Sequence, residues 1–150
     1  MPDPTPFMDV LRASAEALAI SARGIGPFAV YLAVCIGFVV VHMNIYMRIT
    51  RHDELKLIRE GNAAASVAAV GTMAGLAVPL TSIVSFSGFL LEAVMWAVIA
   101  LLVQIAAYLA ARITLADLSV RIERGEMAAG IWIAGISLTA GLLQAVSMKP

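Results

Sequence analysis

The sequence predicts an all-α integral membrane protein, and three observations carry that expectation. Of its 150 residues 61% are hydrophobic and only 13% are charged, too little polar surface to coat a soluble domain of this size. Four runs, at residues 26–47, 63–84, 91–111 and 127–148, are almost free of charge, and each reaches the roughly 20 residues at about 1.5 Å that cross about 30 Å of hydrocarbon as a helix. The runs are also continuous and do not alternate in polarity. A lipid-exposed backbone must satisfy its own hydrogen bonds, so continuous runs mean helices and not barrel strands. Mean hydropathy is +0.94, and the solvent such a surface needs is the lipid bilayer.

Taken in order, the chain opens with Pro2, Asp3, Pro4 and Pro6, after which Phe7, Val10, Leu11 and Leu18 are interleaved with Asp9, Arg12, Glu16 and Arg23. That pattern lacks the basic start and apolar centre of a cleaved leader, and it predicts a short amphipathic helix lying in the membrane interface over residues 1–25. The first span follows and ends at Arg48, whose cation suits a helix C-terminus and can snorkel to the headgroups. A charged connection leads to the second span. A tight turn at Ser85, Ser87 and Gly88 makes the second and third spans antiparallel neighbours, with Glu92 near the start of the third. A second charged connection, 112–126, precedes the fourth.

The two connections resemble each other. At an offset of 64 residues, Arg48, Ile49, Thr50, Asp53, Ile58, Gly61, Ala64, Ala65 and Gly71 fall on Arg112, Ile113, Thr114, Asp117, Ile122, Gly125, Ala128, Ala129 and Gly135, nine identities in 24 ungapped positions. We read this as a duplication, with one two-helix unit over residues 26–84 and another over 85–150. Each unit holds two spans, so both copies keep the same orientation and are related by an axis along the membrane normal. In each connection, Thr50 with Asp53 and Thr114 with Asp117 have the spacing of a helix N-cap. The short helix that follows is expected to turn Leu55, Ile58, Leu118 and Ile122 to the bilayer and Lys56, Arg59, Arg121 and Arg124 to water. Gly61 and Gly125 end it.

Seven of the ten basic residues lie in these two connections, and Arg12, Arg23 and Lys149 lie on the other side. The positive-inside rule then makes the connections cytoplasmic and both termini periplasmic. Formal net charge is zero, so no overall field draws the chain to nucleic acid. The single cysteine, Cys35, excludes an intrachain disulfide and a cysteine-based metal site.

The stretch Gly61-Asn62-Ala63-Ala64-Ala65, continuing through Gly71, Gly75 and Pro79, resembles the YjfL-like family of small bacterial inner-membrane proteins, a domain of unknown function. Gly125-Glu126-Met127-Ala128-Ala129-Gly130 is similar to that family's second Asn-x-Ala-Ala-Gly element and departs from it at Glu126, where the family pattern has Asn. The resemblance covers residues 26–148. It implies four spans and a bacterial inner-membrane location, and no established activity.

Polar residues that interrupt the apolar pattern are the candidates for function or packing: His42, Asn44, Asn62, Gln104 and Glu126, with Gln144 in the last span. Gln104 is close to the midplane, where a buried amide needs a partner and an interhelical bond contributes about 1 kcal/mol. His42 sits nearer the cytoplasmic interface; its ordinary pKa near neutrality suits a proton relay, although a packed interfacial histidine has the same sequence. Asn62, just before a span, is placed as an N-cap, or to line a vestibule opposite Glu126. Rows of small residues mark packing faces: Ala64, Ala68, Gly71 and Gly75 on the second span, and Gly130, Ala134, Ser137, Gly141 and Ala145 on the fourth. The first row is expected to join the two repeats, and the Gly141 row to build a homo-oligomer.

No metal, cofactor or catalytic motif is visible, so an enzyme is not expected. The favoured reading is a structural or scaffolding membrane component whose charged loops receive a peripheral cytoplasmic partner. The alternative is a channel or transporter for an ion or small solute, suggested by the duplication, by the break Pro79 could impose in the second span, and by His42 with Gln104. The orientation can be checked with an impermeant thiol reagent on intact cells. In a Cys35→Ser background, cysteines at Lys56 and Arg121 are expected to stay unlabelled and one at Pro150 to react; labelling at Lys56 from outside would invert the topology.

Overall fold

Where lipid surrounds a chain, each backbone N–H must be answered within its own segment, and the apolar runs are accordingly helical. The structure, a computed structural model, describes residues 5–50 and 53–148, with side chains from Phe7 onward. Arg51, Lys149 and Pro150, and the opening Pro2, Asp3 and Pro4, lie outside the described residues. The helices are α1 (Thr5–Ile49), α2 (Glu54–Arg59), α3 (Ala63–Phe86), α4 (Leu90–Thr114), α5 (Leu118–Glu123) and α6 (Met127–Ser147). Four of them, α1, α3, α4 and α6, are long and apolar enough to cross a membrane.

The chain divides into two compact units, one ending at Val34 and one beginning at Cys35. The first differs from expectation in having no helix boundary near residue 25. Gly24, Gly26 and Pro27 all fall inside α1; a proline removes a single backbone donor, and the turns on either side keep theirs. Side chains from Phe7 to Val30 are exposed all round, so this unit has no core of its own.

In the second unit the organising contact is between α3 and α6. Their small residues let the two backbones touch. A Cβ added to Gly71 would overlap Ala134, one on Gly130 would overlap the Ala64 carbonyl, and one on Gly75 would lie 2.6 Å from the Ser137 carbonyl oxygen. Gly141 is closed off by the carbonyl of Gly75. That carbonyl is free for a specific reason: its helical partner would be the N–H of residue 79, which is a proline. Pro79 therefore opens no gap in α3, which runs unbroken to Phe86; it turns one carbonyl toward the neighbouring glycine, in the manner of a weak Cα–H···O contact. Further along, the Ser82 hydroxyl donates to the Ala145 carbonyl at 3.1 Å.

This arrangement corrects the sequence reading of the Gly141 row. It faces the Gly71–Gly75 row within the chain, because two rows of small residues allow the closest approach when they meet each other. The third long helix, α4, packs on the α3–α6 pair through buried Ala97, Ala100, Gln104 and Ala107.

The connections also differ in detail. Asp53, not Thr50, caps α2, accepting from the Lys56 N–H at 3.0 Å. Thr50 donates back to the Tyr46 carbonyl at 3.1 Å, and Thr114 does the same to Ala110 and Ala111 at 2.9 and 3.0 Å. Both threonines thus belong to the preceding helix, each hydroxyl bonding back to a carbonyl about one turn earlier, as Ser and Thr side chains do on a helix. Asp117 makes no side-chain cap and sits in the left-handed region at φ 55°. Leu118 and Ile122, expected to face lipid, are buried at 1% exposure each, in one cluster with Tyr46, Tyr108 and Ile133. The short helix α5 folds under the bundle, and its apolar side meets protein. Leu55 is exposed and Ile58 is partly covered by that cluster. Gly61 and Gly125, at φ 86° and 81°, supply the left-handed turns that lead into α3 and α6.

The seam makes a direct prediction. Leucine at Gly75 or Gly141 must push two backbones apart, and overpacking of a close contact typically costs about 1–3 kcal/mol. Both variants are expected to yield less folded protein and to lose structure at lower temperature in mild detergent. If Gly141→Leu changed only the oligomer size and left thermal stability alone, the seam assignment would be wrong.

A buried polar cluster at the loop end of the bundle

Two of the long helices, α1 and α4, bring polar side chains together with Glu54 of α2. Glu54, the first residue of α2, is fully buried at 0% exposure and accepts the Tyr46 hydroxyl at 3.0 Å. The Tyr46 ring meets Tyr108 of α4 edge to face, with centroids 5.5 Å apart and planes at 85°, a favoured aromatic geometry. One turn before Tyr46 on α1 lies His42, also buried. It rests against the Thr72 backbone of α3 without a well-formed hydrogen bond to either ring nitrogen among the described residues. One turn before Tyr108 lies Gln104, which donates from Nε2 to the Ser137 carbonyl of α6 at 3.2 Å, while its Oε1 has no partner among the described residues. His42, Tyr46, Gln104 and Tyr108, with Ile45, Ile49 and Ile105, line a half-open cavity of about 10 Å³. That is room for about one water, which could answer both the imidazole and the amide oxygen.

Two features belong to the bundle end and not to the cavity. Asn62 caps α3, its Oδ1 accepting from the Ala65 N–H at 2.9 Å, and its Nδ2 donates to the carbonyls of Ile122 and Glu123 at 2.9 and 3.1 Å. Those carbonyls lie at the C-terminal end of α5, where that of Ile122 also accepts the Gly125 N–H at 2.9 Å. One amide thus caps α3 and bonds to the end of α5, which places both connections at the same end of the bundle. Glu126, at the equivalent place before α6, makes no cap. It accepts from Arg121 Nε at 2.6 Å. An asparagine there could donate across the bundle; a carboxylate cannot, and it takes a cation instead.

The sequence-level candidates therefore separate. His42 and Gln104 line one cavity. Asn62 and Glu126 act on the connections, and each has its own partners, not each other. Asn44 stands apart, exposed, its Nδ2 bonded to the Val40 carbonyl at 2.8 Å. Tyr46, Glu54 and Tyr108 were not singled out by the sequence. Tyrosines near span ends read as an interfacial belt, and a glutamate in a charged connection reads as solvated; only the fold turns them inward. Glu92 accepts from the Gly88 N–H at 2.9 Å, as a carboxylate in a first helical turn does.

The family model described as Domain of Unknown Function (DUF350) matches residues 19–148. The chain belongs to the DUF350 family. Similar proteins include two named "UPF0719 inner membrane protein YjfL", from Escherichia coli strain K12 and from Escherichia coli O157:H7; each is 31% identical over 121 residues, covering 81% of this chain and 92% of the relative. No solved structure matches the chain. With its four apolar helices, this DUF350 member is a bacterial multi-pass inner-membrane protein.

The double role of Asn62 can be separated by substitution. Serine keeps a capping oxygen and loses the two bonds to α5, whereas alanine loses the cap as well, a further loss of about 1 kcal/mol. Thermal unfolding in detergent is expected to rank wild type above Asn62→Ser above Asn62→Ala. A serine variant as stable as wild type would mean that the bridge to α5 contributes nothing.

Proposed function

We propose that this DUF350 protein is a structural membrane component built from two copies of one helix-loop-helix unit, with no catalytic role of its own. The observation that carries the reading is the α3–α6 seam, in which Gly71, Gly75, Gly130 and Gly141 are each closed by atoms of the opposite helix. A contact that close is suited to a rigid body and leaves no passage between the two halves. The duplication is supported by the start of α3 at Ala63 and of α6 at Met127, a separation of 64 residues, and by six-residue helices α2 and α5 in the two connections.

In this reading the connections are cytoplasmic and both termini periplasmic, as the basic residues suggest. The mixed-charge stretch over residues 7–25 lies at the periplasmic interface, and α2 and α5 present Lys56, Arg59 and Arg124 to a peripheral protein. A transport function is the second reading, and one observation favours it: His42 and Gln104 share a cavity inside the bundle.

Flux through liposomes separates the two. The structural reading expects membranes carrying the protein to be no more permeable to protons, alkali cations or small neutral solutes than protein-free ones. His42→Leu and Gln104→Leu are then expected to change stability alone, Gln104→Leu by about 1 kcal/mol for the lost bond to the Ser137 carbonyl. A flux present in wild type and abolished in either variant would establish transport.

A further inference from the structure

The seam joins unlike faces of α3 and α6. If the two units were related by a two-fold axis, every contact would have its mirror at an offset of 64. Gly71 touching Ala134 would require Gly135 touching Val70, and Ala64 touching Gly130 would require Ala128 touching Ser66. Neither mirror contact exists within the chain. A Cβ at Gly135 would meet nothing within 4 Å, Ala128 is exposed, and Val70 is 61% exposed. The contact is therefore heterologous: one face of α3 meets a different face of α6.

A heterologous contact leaves both of its surfaces available once more. The face of α6 that corresponds to the packed face of α3 is an open groove formed by Ala128, Ile131, Trp132, Gly135, Ile136 and Thr139. The face of α3 that corresponds to the packed face of α6 carries Ser66, Val70, Met73 and Ala77, none of them buried. Neither surface bears a charge, and the shapes match where the register demands it. Val70 is an exposed apolar knob, and its counterpart Gly135 is a gap with no side chain. Trp132 stands where α3 has Ala68, and Val70 and Met73 stand where α6 has Ala134 and Ser137, so this second contact is wider than the seam and filled by larger side chains.

We infer that the groove on α6 is the docking site for a second copy of this chain, which seats its α3 face there with Val70 over Gly135. The inference rests on the two-copy reading above. All copies share one orientation in the bilayer, so repetition of a heterologous contact turns about an axis along the membrane normal and generates a ring where the rotation closes. Each chain then contributes two successive units to the ring, one contact tight and internal, the next looser and between chains.

Disulfide trapping in native membranes tests this. In a Cys35→Ser background, the double variant Val70→Cys with Gly135→Cys, treated with a mild oxidant, is expected to shift from the 15.8 kDa monomer to a ladder of dimer, trimer and higher species. Either single-cysteine variant is expected to stay mainly monomeric, because like positions do not meet in a head-to-tail contact. Both positions are exposed, so the substitutions spare the fold. Gly135→Trp, which fills the gap, is expected to elute as a smaller species in mild detergent than wild type. Monomer alone in all cysteine variants would mean that acyl chains cover the groove. Dimer from Gly135→Cys alone would mean a two-fold contact. Trapping only to a different protein would give the groove to another partner, and each of these three results would overturn the inference. A ladder found together with solute flux would retain the ring and overturn the structural reading, whereas impermeable membranes without a ladder would do the reverse.

Discussion

Helices already in a bilayer gain nothing by hiding apolar side chains from lipid, because lipid is as apolar as leucine. What holds α3 to α6 must therefore come from contact itself, many short-range attractions that accumulate only when two backbones are near. Glycine and alanine make that possible, and the close contacts fall where they stand: Gly130 on Ala64, Gly71 on Ala134, Gly75 on Ser137, Gly141 on the Gly75 carbonyl. The rest of the second unit is arranged around this pair. α4 lays an alanine-lined face against it, α5 closes its end with Leu118 and Ile122, and Asn62 ties α5 to the start of α3.

The same absence of water explains why the polar groups lie where they do. An unpaired donor or acceptor in hydrocarbon costs several kcal/mol by general estimate, so each buried polar side chain needs an answer inside the protein. Tyr46 answers Glu54, and Gln104 uses a carbonyl of α6. The unanswered atoms of His42 and Gln104 are gathered around one small cavity. A cavity of that size can hold a water without loosening the helices.

Much of the architecture could be read from residues alone, because composition, run length and the absence of charge are direct statements about lipid. The spans at 63–84, 91–111 and 127–148 differ from α3, α4 and α6 by three residues or fewer at each end. The packing positions on α3 were legible as well, since small residues at intervals of three and four have few other uses on one face. What was not legible depended on direction. Periodicity places Gly141 on a face but does not say which helix that face meets, so an intramolecular contact and an oligomeric one have the same sequence pattern. Leu118 and Ile122 have the spacing of a lipid-facing helix and of a helix tucked beneath a bundle alike. Glu54 was hidden for the same reason: in a connection rich in Lys and Arg a carboxylate reads as solvated, and only its approach to Tyr46 shows that it is enclosed.

Positions 64 residues apart on α3 and α6 differ where their surroundings differ. Ala68 and Trp132 occupy equivalent places, as do Val70 and Ala134 and, at the bundle end, Asn62 and Glu126. In each pair the residue inside the chain meets the demands of its own contact: alanine where backbones touch, asparagine where one amide bonds to two carbonyls of α5. The partner in the other copy is larger or charged, as it can be only where that demand is absent. With the small-residue face of α3 closed by α6 and the equivalent face of α6 left open, the packing within the chain is complete without any contact between chains.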